Sequence, residues 1–196
     1  MSDSGSGAFG GSTWLGGFYE LAIEVGPRDD ERLQRALTAV WAAADVQGCF
    51  GDARRAPRDQ EPVDLTVESL TRFGHVLGQV RLPTGQVVAC GCMAIREDEA
   101  DTVDWLDFYL PVGALHDAGV DIDGRRSYRS AVLDDWLAAI GAEVFRAVDF
   151  HAGFIGYETS GCGDAASLGG ELPSSRGVGY LLPRAGELRY GPADDS

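Results

Sequence analysis

The stretch of sequence that decides the fold is Phe18-Tyr19-Glu20-Leu21-Ala22-Ile23-Glu24-Val25. Apolar residues largely alternate with acidic or small ones, and this period of two predicts a half-buried β-strand. Gly26-Pro27 ends the strand. Asp29 or Asp30 can then cap a helix, whose apolar residues recur at helical spacing to about residue 45. A strand followed by an amphipathic helix is therefore predicted.

The rest of the chain alternates between strand-like and helix-like patterns. Strands are predicted at 75–82, 87–96, 103–110 and 150–158, and the first three of these make an antiparallel meander. A polar loop is predicted at 47–62, a possible edge strand at 63–70, and a short helix at 111–118. Ser127 is predicted to cap a longer amphipathic helix that ends near Val148. The C-terminal residues predict a hairpin, from 179–182 and 187–190.

The predicted order is β-α-β-β-β-α-β, followed by a Gly-rich loop and the C-terminal hairpin. Two amphipathic helices on one face of a mainly antiparallel sheet make a two-layer α+β sandwich. We expect a single α+β domain over residues 17–196, because its length suits one core and no second boundary is visible. A Gly/Ser-rich composition predicts a flexible lead over residues 1–16.

Composition narrows the choice of partners. The chain has 196 residues and a formal net charge of −15, from 31 acidic and 16 basic residues. This charge repels phosphate backbones and anionic lipids, so we expect neither nucleic acid nor a membrane as partner, and favour a basic protein. Lysine is absent, which excludes a lysine Schiff base. Without a long apolar run or a secretory signal, the expected location is the cytoplasm.

The strand alternation also predicts a candidate binding surface on the second face of the sheet. When Tyr19, Leu21 and Ile23 point at the helices, the residues between them point the other way. The same reasoning on two further strands gives a set that we call the acidic-aromatic face: Glu20, Glu24, Trp105, Asp107, Tyr109, Phe154 and Glu158. Aromatic rings mixed with carboxylates suit recognition of a cationic group.

This face has an alternative interpretation, in which the C-terminal residues 180–182 fold over it and bury its aromatic rings. Burial would leave the four carboxylates in need of partners. The sequence leaves both arrangements open.

The motifs that carry catalysis or bind metals are missing from the sequence. The four cysteines lack zinc-site spacing, and the three histidines lie far apart. Ser160 is not in a G-x-S-x-G motif, and Cys162 has no cationic neighbour in sequence to activate it. The Asp121-Ile122-Asp123-Gly124 segment lacks the rest of a calcium-loop pattern. We therefore predict no catalytic residues, no metal site and no cofactor.

Three functions remain after these exclusions. The leading hypothesis is a non-catalytic protein-binding module, of the immunity or antitoxin kind, that binds a basic partner through the acidic-aromatic face. The first alternative is a carboxylate- or metal-assisted hydrolase that uses the same face. The second alternative is a small-molecule sensor with a pocket between the sheet and the C-terminal residues.

Overall fold

The computed structural model describes residues 9, 11–96, 102–120, 122 and 129–194. The strands are Phe18–Pro27 (β1), Gln47–Phe50 (β2), Val76–Arg81 (β3), Val87–Ile95 (β4), Val103–Pro111 (β5), Ala152–Tyr157 (β6), Gly179–Arg184 (β7) and Glu187–Gly191 (β8). The α-helices are Asp30–Ala43 (α1), Val67–Phe73 (α2), Val112–Asp117 (α3), Ala131–Ala147 (α4) and Ala165–Leu168 (α5).

The eight strands found in the described residues form one open antiparallel sheet, in the order β2-β3-β4-β5-β1-β6-β7-β8. The predicted α+β class is confirmed, and so is the meander, which is β3-β4-β5. The first predicted strand, β1, lies in the middle of the sheet between β5 and β6. It is buried on both faces rather than on one, because each face has its own covering layer.

The inner face of the sheet is covered by α1 and α4, which pack against each other and against β1. Tyr19, Leu21 and Ile23 point to this side and are fully buried. Asp29 caps α1, as predicted, and its side chain accepts the amides of Glu31 and Arg32. This layer is an ordinary apolar core between a sheet and two helices.

Two segments before the meander differ from the prediction. Residues 47–50, predicted within a polar loop, form the edge strand β2, which pairs with β3. The possible edge strand at 63–70 is wrong, because residues 67–73 form α2. Thr66 caps this helix by accepting the Ser69 amide, and Gly74 ends it in the left-handed conformation at φ 76°. These two caps outweigh the apolar run between them.

The long helix α4 begins later than predicted. Its N-cap is Ser130, whereas Ser127 lies in the stretch 123–128 outside the described residues, as do residues 97–101 and Asp121. Tyr19 fixes this starting point, because its hydroxyl accepts the Ser130 amide at 3.0 Å and donates to the Asp134 carboxylate in the first turn. Burial raises the pKa of the Tyr19 hydroxyl, so it remains a hydrogen-bond donor.

Phe9, Thr13 and Trp14 lie within the stretch 1–16 that the sequence predicts as a flexible lead, and they pack on the domain. Phe9 is buried, and its ring centroid lies 5.6 Å from that of Trp14. The Trp14 indole donates to the Ala53 carbonyl at 2.9 Å. Residues 1–8 and 10 lie outside the described residues. This packing follows from the large apolar area of the two aromatic side chains. A composition dominated by Gly and Ser does not reveal that contribution.

The C-terminal hairpin is confirmed as β7 and β8. Ala185 and Gly186 join the strands, and both have positive φ, at 54° and 82°, as a type I′ turn requires. Residues 179–181 pair with β6 and extend the sheet, so their backbone does not cross its outer face. The side chains of Tyr180 and Leu182 pack beside Phe154 on that face. The C-terminal residues therefore form no layer over the acidic-aromatic face, and their contribution to its burial is confined to the contacts with Phe154.

Candidate functional site: the covered outer face of the sheet

The strand register assembles the acidic-aromatic face that the alternation predicted. Glu20 lies opposite Tyr109, and Glu24 lies opposite Trp105. Ala22 lies between Asp107 on β5 and Phe154 on β6. Glu158 follows β6 directly, in the left-handed conformation at φ 50°. The seven side chains thus come from three adjacent strands and one strand end.

Most of this face is not accessible to a macromolecule. Five of its seven side chains are buried: Glu20, Glu24, Asp107, Tyr109 and Phe154. Trp105 is half-buried and Glu158 is exposed. A partner that approaches the folded protein therefore meets Trp105 and Glu158, and the other five are covered.

The layer over this face is formed by residues 159–172, which we call the cover. It consists of the turn after β6, the short helix α5 and the residues that follow it. Its apolar residues Ala165, Leu168 and Leu172 pack on a small second core that includes Ala22 and Phe154. Because this core is small, apolar contact alone gives the cover only modest stability.

The carboxylates of the face bind the cover through hydrogen bonds. The Ser160 amide donates to Glu20 Oε1 at 2.7 Å, and the Ala165 amide donates to Glu24 Oε2 at 2.6 Å. The Ser160 hydroxyl lies 2.9 Å from Glu20 Oε1 and 2.6 Å from Asp107 Oδ2. These are the partners that buried carboxylates need, and the cover supplies them from its own backbone and from the hydroxyls of Ser160 and Thr159, the latter at 3.5 Å from Glu20 Oε1.

Burial changes the acidity of two of these groups. It raises the pKa of Asp107 to about 7, against the opposing effect of the hydrogen bond with Ser160 and in the same direction as the nearby Glu20 carboxylate. Burial also raises the pKa of Glu20, while its hydrogen bonds from Ser160 oppose that shift. Asp107 Oδ1 is buried and has no hydrogen-bond partner among the described residues. Asp107 is therefore the least well-solvated carboxylate of the face.

A hollow of about 520 Å³ opens between the cover and the ends of β4 and β5. On the sheet side it is lined by Ile95, Val103 and Trp105. On the cover side it is lined by residues that include Asp164. The Trp105 ring lies 6.0 Å from that of Phe154, at an angle of 32°. Asp164 is exposed, and it also caps α5 by accepting the Ser167 amide.

Cys162 lies in the cover and is exposed, but it is not an activated thiol. Burial of the sulfur and the nearby Glu20 carboxylate both raise the pKa of this thiol. A raised pKa keeps the group protonated and weakly nucleophilic at neutral pH.

Ser160 and Asp164 are the functional residues that sequence reasoning did not place at the site. Ser160 contacts a strand residue 140 positions away, so no local pattern contains that contact. One signal was present, since Asp164 precedes Ala165–Leu168 as a capping residue would.

Among the described residues, no three His, Cys, Asp or Glu side chains lie together as a metal-ligand set. No described helix is both long and apolar enough to cross a membrane. Comparison with protein-family models, with curated proteins and with solved structures found no match. The geometry of the outer face is therefore the observation that bears on function.

Proposed function

We propose that the protein is a non-catalytic binding domain that takes a small organic cation in the hollow beneath the cover. The observation that supports this proposal is the hollow itself, which is preformed between Trp105 and the cover. Its volume of about 520 Å³ lies within the range of roughly 300 to 1,000 Å³ that is usual for small-molecule sites. This is the sensor alternative, with the cover in place of the C-terminal residues.

The chemistry of the lining favours a cation with an apolar body. Trp105 offers a half-buried ring for stacking and cation–π contact, and Ile95 and Val103 offer apolar area beside it. Asp164 is the one charged side chain among the described lining residues, and it is an acid. The net charge of −15 attracts cations to the protein and repels anions.

The test is a set of calorimetric titrations with three probes of similar size: benzyltrimethylammonium, benzyl alcohol and benzoate. We expect the ammonium to bind most tightly, the alcohol more weakly and the anion not at all. Trp105→Ala should weaken ammonium binding by about tenfold, because it removes both the ring contact and apolar area. Asp164→Asn should weaken it by about threefold, since asparagine retains the cap of α5 and removes the charge.

Glu187→Gln is the matched control, because Glu187 is an exposed residue at the start of β8 and its replacement changes the net charge equally. It should leave ammonium binding unchanged. The proposal is wrong if benzoate binds as tightly as the ammonium. It is also wrong if Trp105→Ala and Glu187→Gln have the same effect.

A second candidate is the binding of a basic protein, in the manner of an immunity protein, and the net charge of −15 is the observation that favours it. Because most of the acidic-aromatic face is covered, the contact would involve exposed carboxylates such as Glu158. A basic protein that elutes from the tagged chain at one moderate salt concentration, and elutes earlier from Glu158→Gln, would support this candidate. A diffuse elution would count against it.

A further inference from the structure

The Ser160 hydroxyl and the carboxyl groups of Glu20 and Asp107 lie together under the cover, and their close contacts need more than one proton. The Ser160 hydroxyl lies within hydrogen-bond distance of both Glu20 Oε1 and Asp107 Oδ2. A hydroxyl has one proton and can donate it to only one of the two carboxylates. If both were ionised, the other close oxygen contact would contain no proton and would be repulsive. One carboxyl group must therefore bring a proton of its own.

The hydrogen bonds around the two carboxyl groups indicate which of them holds this proton. Glu20 Oε1 accepts the Ser160 amide at 2.7 Å, and an amide donor favours the ionised form. Among the described residues, no backbone amide donates a hydrogen bond to Asp107, and its Oδ1 atom has no hydrogen-bond partner. Asp107 is also 1% exposed, so water does not solvate a charge on it.

The groups around Asp107 offer it no compensating positive charge. Its nearest acidic neighbour on the adjacent strand β1 is Glu20. Glu24 also lies on β1, and its carboxylate is 3.4 Å from the half-exposed His151 ring. The remaining titratable groups that interact with Asp107 or Glu20 are Cys92 on β4, Tyr109 on β5, Cys162 in the cover, and Glu158 before it. Each of these is neutral or negative in its ordinary states, so the surroundings favour a protonated Asp107.

We propose that Asp107, Ser160 and Glu20 form a proton-held latch that closes the cover over the hollow. In the closed state the Asp107 carboxyl group donates to Ser160 Oγ, and the Ser160 hydroxyl donates to Glu20. When Asp107 releases its proton to water, Ser160 can satisfy only one of two buried anions. The turn at 159–164 then loosens, and the hollow that it borders becomes more open.

The direction of the pH effect follows from the acidity of Asp107. Its pKa is raised from an ordinary value of 3.8 to about 7 in the folded protein. The folded state therefore holds a proton that the unfolded chain has already lost, and the latch is closed below about pH 7 and opens as the pH rises through that value. Control of ligand entry by this latch rests on the proposed function of the hollow, whereas the latch itself does not.

The test uses the ligand-free protein, so its outcome is independent of whether the hollow binds a cation. Infrared difference spectra are recorded from about pH 5 to about pH 9, with carbon-13 label in the aspartate carboxyl groups. We expect a carboxylic-acid band from aspartate that persists well above the ordinary aspartate range and disappears near neutral pH. Amide exchange in residues 159–164 should accelerate over the same interval, beyond the base-catalysed rise common to all amides.

Asp107→Asn is the matched variant, because its amide can donate to Ser160 Oγ at every pH. It should lack the infrared band and keep the turn protected at alkaline pH. The proposal is overturned if the wild-type protein shows no protonated aspartate at about pH 6. It is equally overturned if Asp107→Asn retains the pH-dependent loosening of the turn. Should that variant fail to fold, the wild-type infrared titration alone decides the question.

Discussion

The two faces of β1 are both buried, but they are buried by different means. Tyr19, Leu21 and Ile23 point to the inner face and pack under the two long helices α1 and α4. Glu20 and Glu24 point to the outer face, where a 14-residue cover over 159–172 binds them through its own amides. One face therefore depends on apolar area, and the other depends on directed hydrogen bonds.

This difference has consequences for stability and for motion. Apolar burial has no direction and is indifferent to pH, so the inner face sets the global stability of the domain. Hydrogen bonds to carboxylates fix the cover in one register and depend on protonation. Segments with few apolar contacts open at a lower free energy than the core. We therefore expect the cover to open without unfolding of the sheet.

The largest effect is expected from a cavity in the inner face. Leu37 on α1 is fully buried, and Leu37→Ala should reduce the free energy of unfolding by about 3 to 4 kcal/mol. Urea denaturation gives this value. Val132 on α4 is 51% exposed, and Val132→Ala is the control, with an expected change below about 0.5 kcal/mol. Equal losses in the two variants would contradict the assignment of the core.

A smaller effect is expected on the outer face. Glu20→Ala leaves the Ser160 amide without its acceptor and the Ser160 hydroxyl with Asp107 alone, and should cost about 2 kcal/mol. Its effect on amide exchange should be greatest in residues 159–164, because only the cover loses a partner. Glu20→Gln keeps an oxygen acceptor for the amide and should recover most of the loss. If exchange increased uniformly across the sheet instead, the cover would not be a separate unit.

The smallest effect is expected at the rim of the same face. Glu158 is exposed, and Glu158→Gln should change the free energy of unfolding by less than about 0.5 kcal/mol. Denaturation beside Glu20→Ala distinguishes a solvated carboxylate from a buried one on the same face. A loss as large as that of Glu20→Ala would mean that Glu158 also holds the cover.

The same distinction explains what the sequence could predict. Alternation within each strand is local, so it places Glu20 of β1, Asp107 of β5 and Phe154 of β6 on one face. The meander and α1 also follow from local periods and caps. Exposure of that face could not be judged, because its cover is separated from Glu20 by 140 residues and contains only one short helix.

The errors have local causes too. The apolar run in residues 63–70 favours a strand, but Thr66 is the N-cap of a helix and Gly74 ends that helix. The strand β2 is four residues long, with a register irregularity against β3, so it carries no clear alternation. Short elements of this kind are defined by their neighbours rather than by their own sequence.

Glu20 and Glu24 of β1 hold the cover by accepting the Ser160 and Ala165 amides, and amide exchange of these two residues tests that arrangement most directly. At about pH 6 both amides should exchange more than about 100-fold more slowly than unprotected amides. Glu20→Ala should remove protection at Ser160 and largely spare Ala165, and Glu24→Ala should do the reverse. Exchange of both amides at unprotected rates in the wild-type protein would contradict the account.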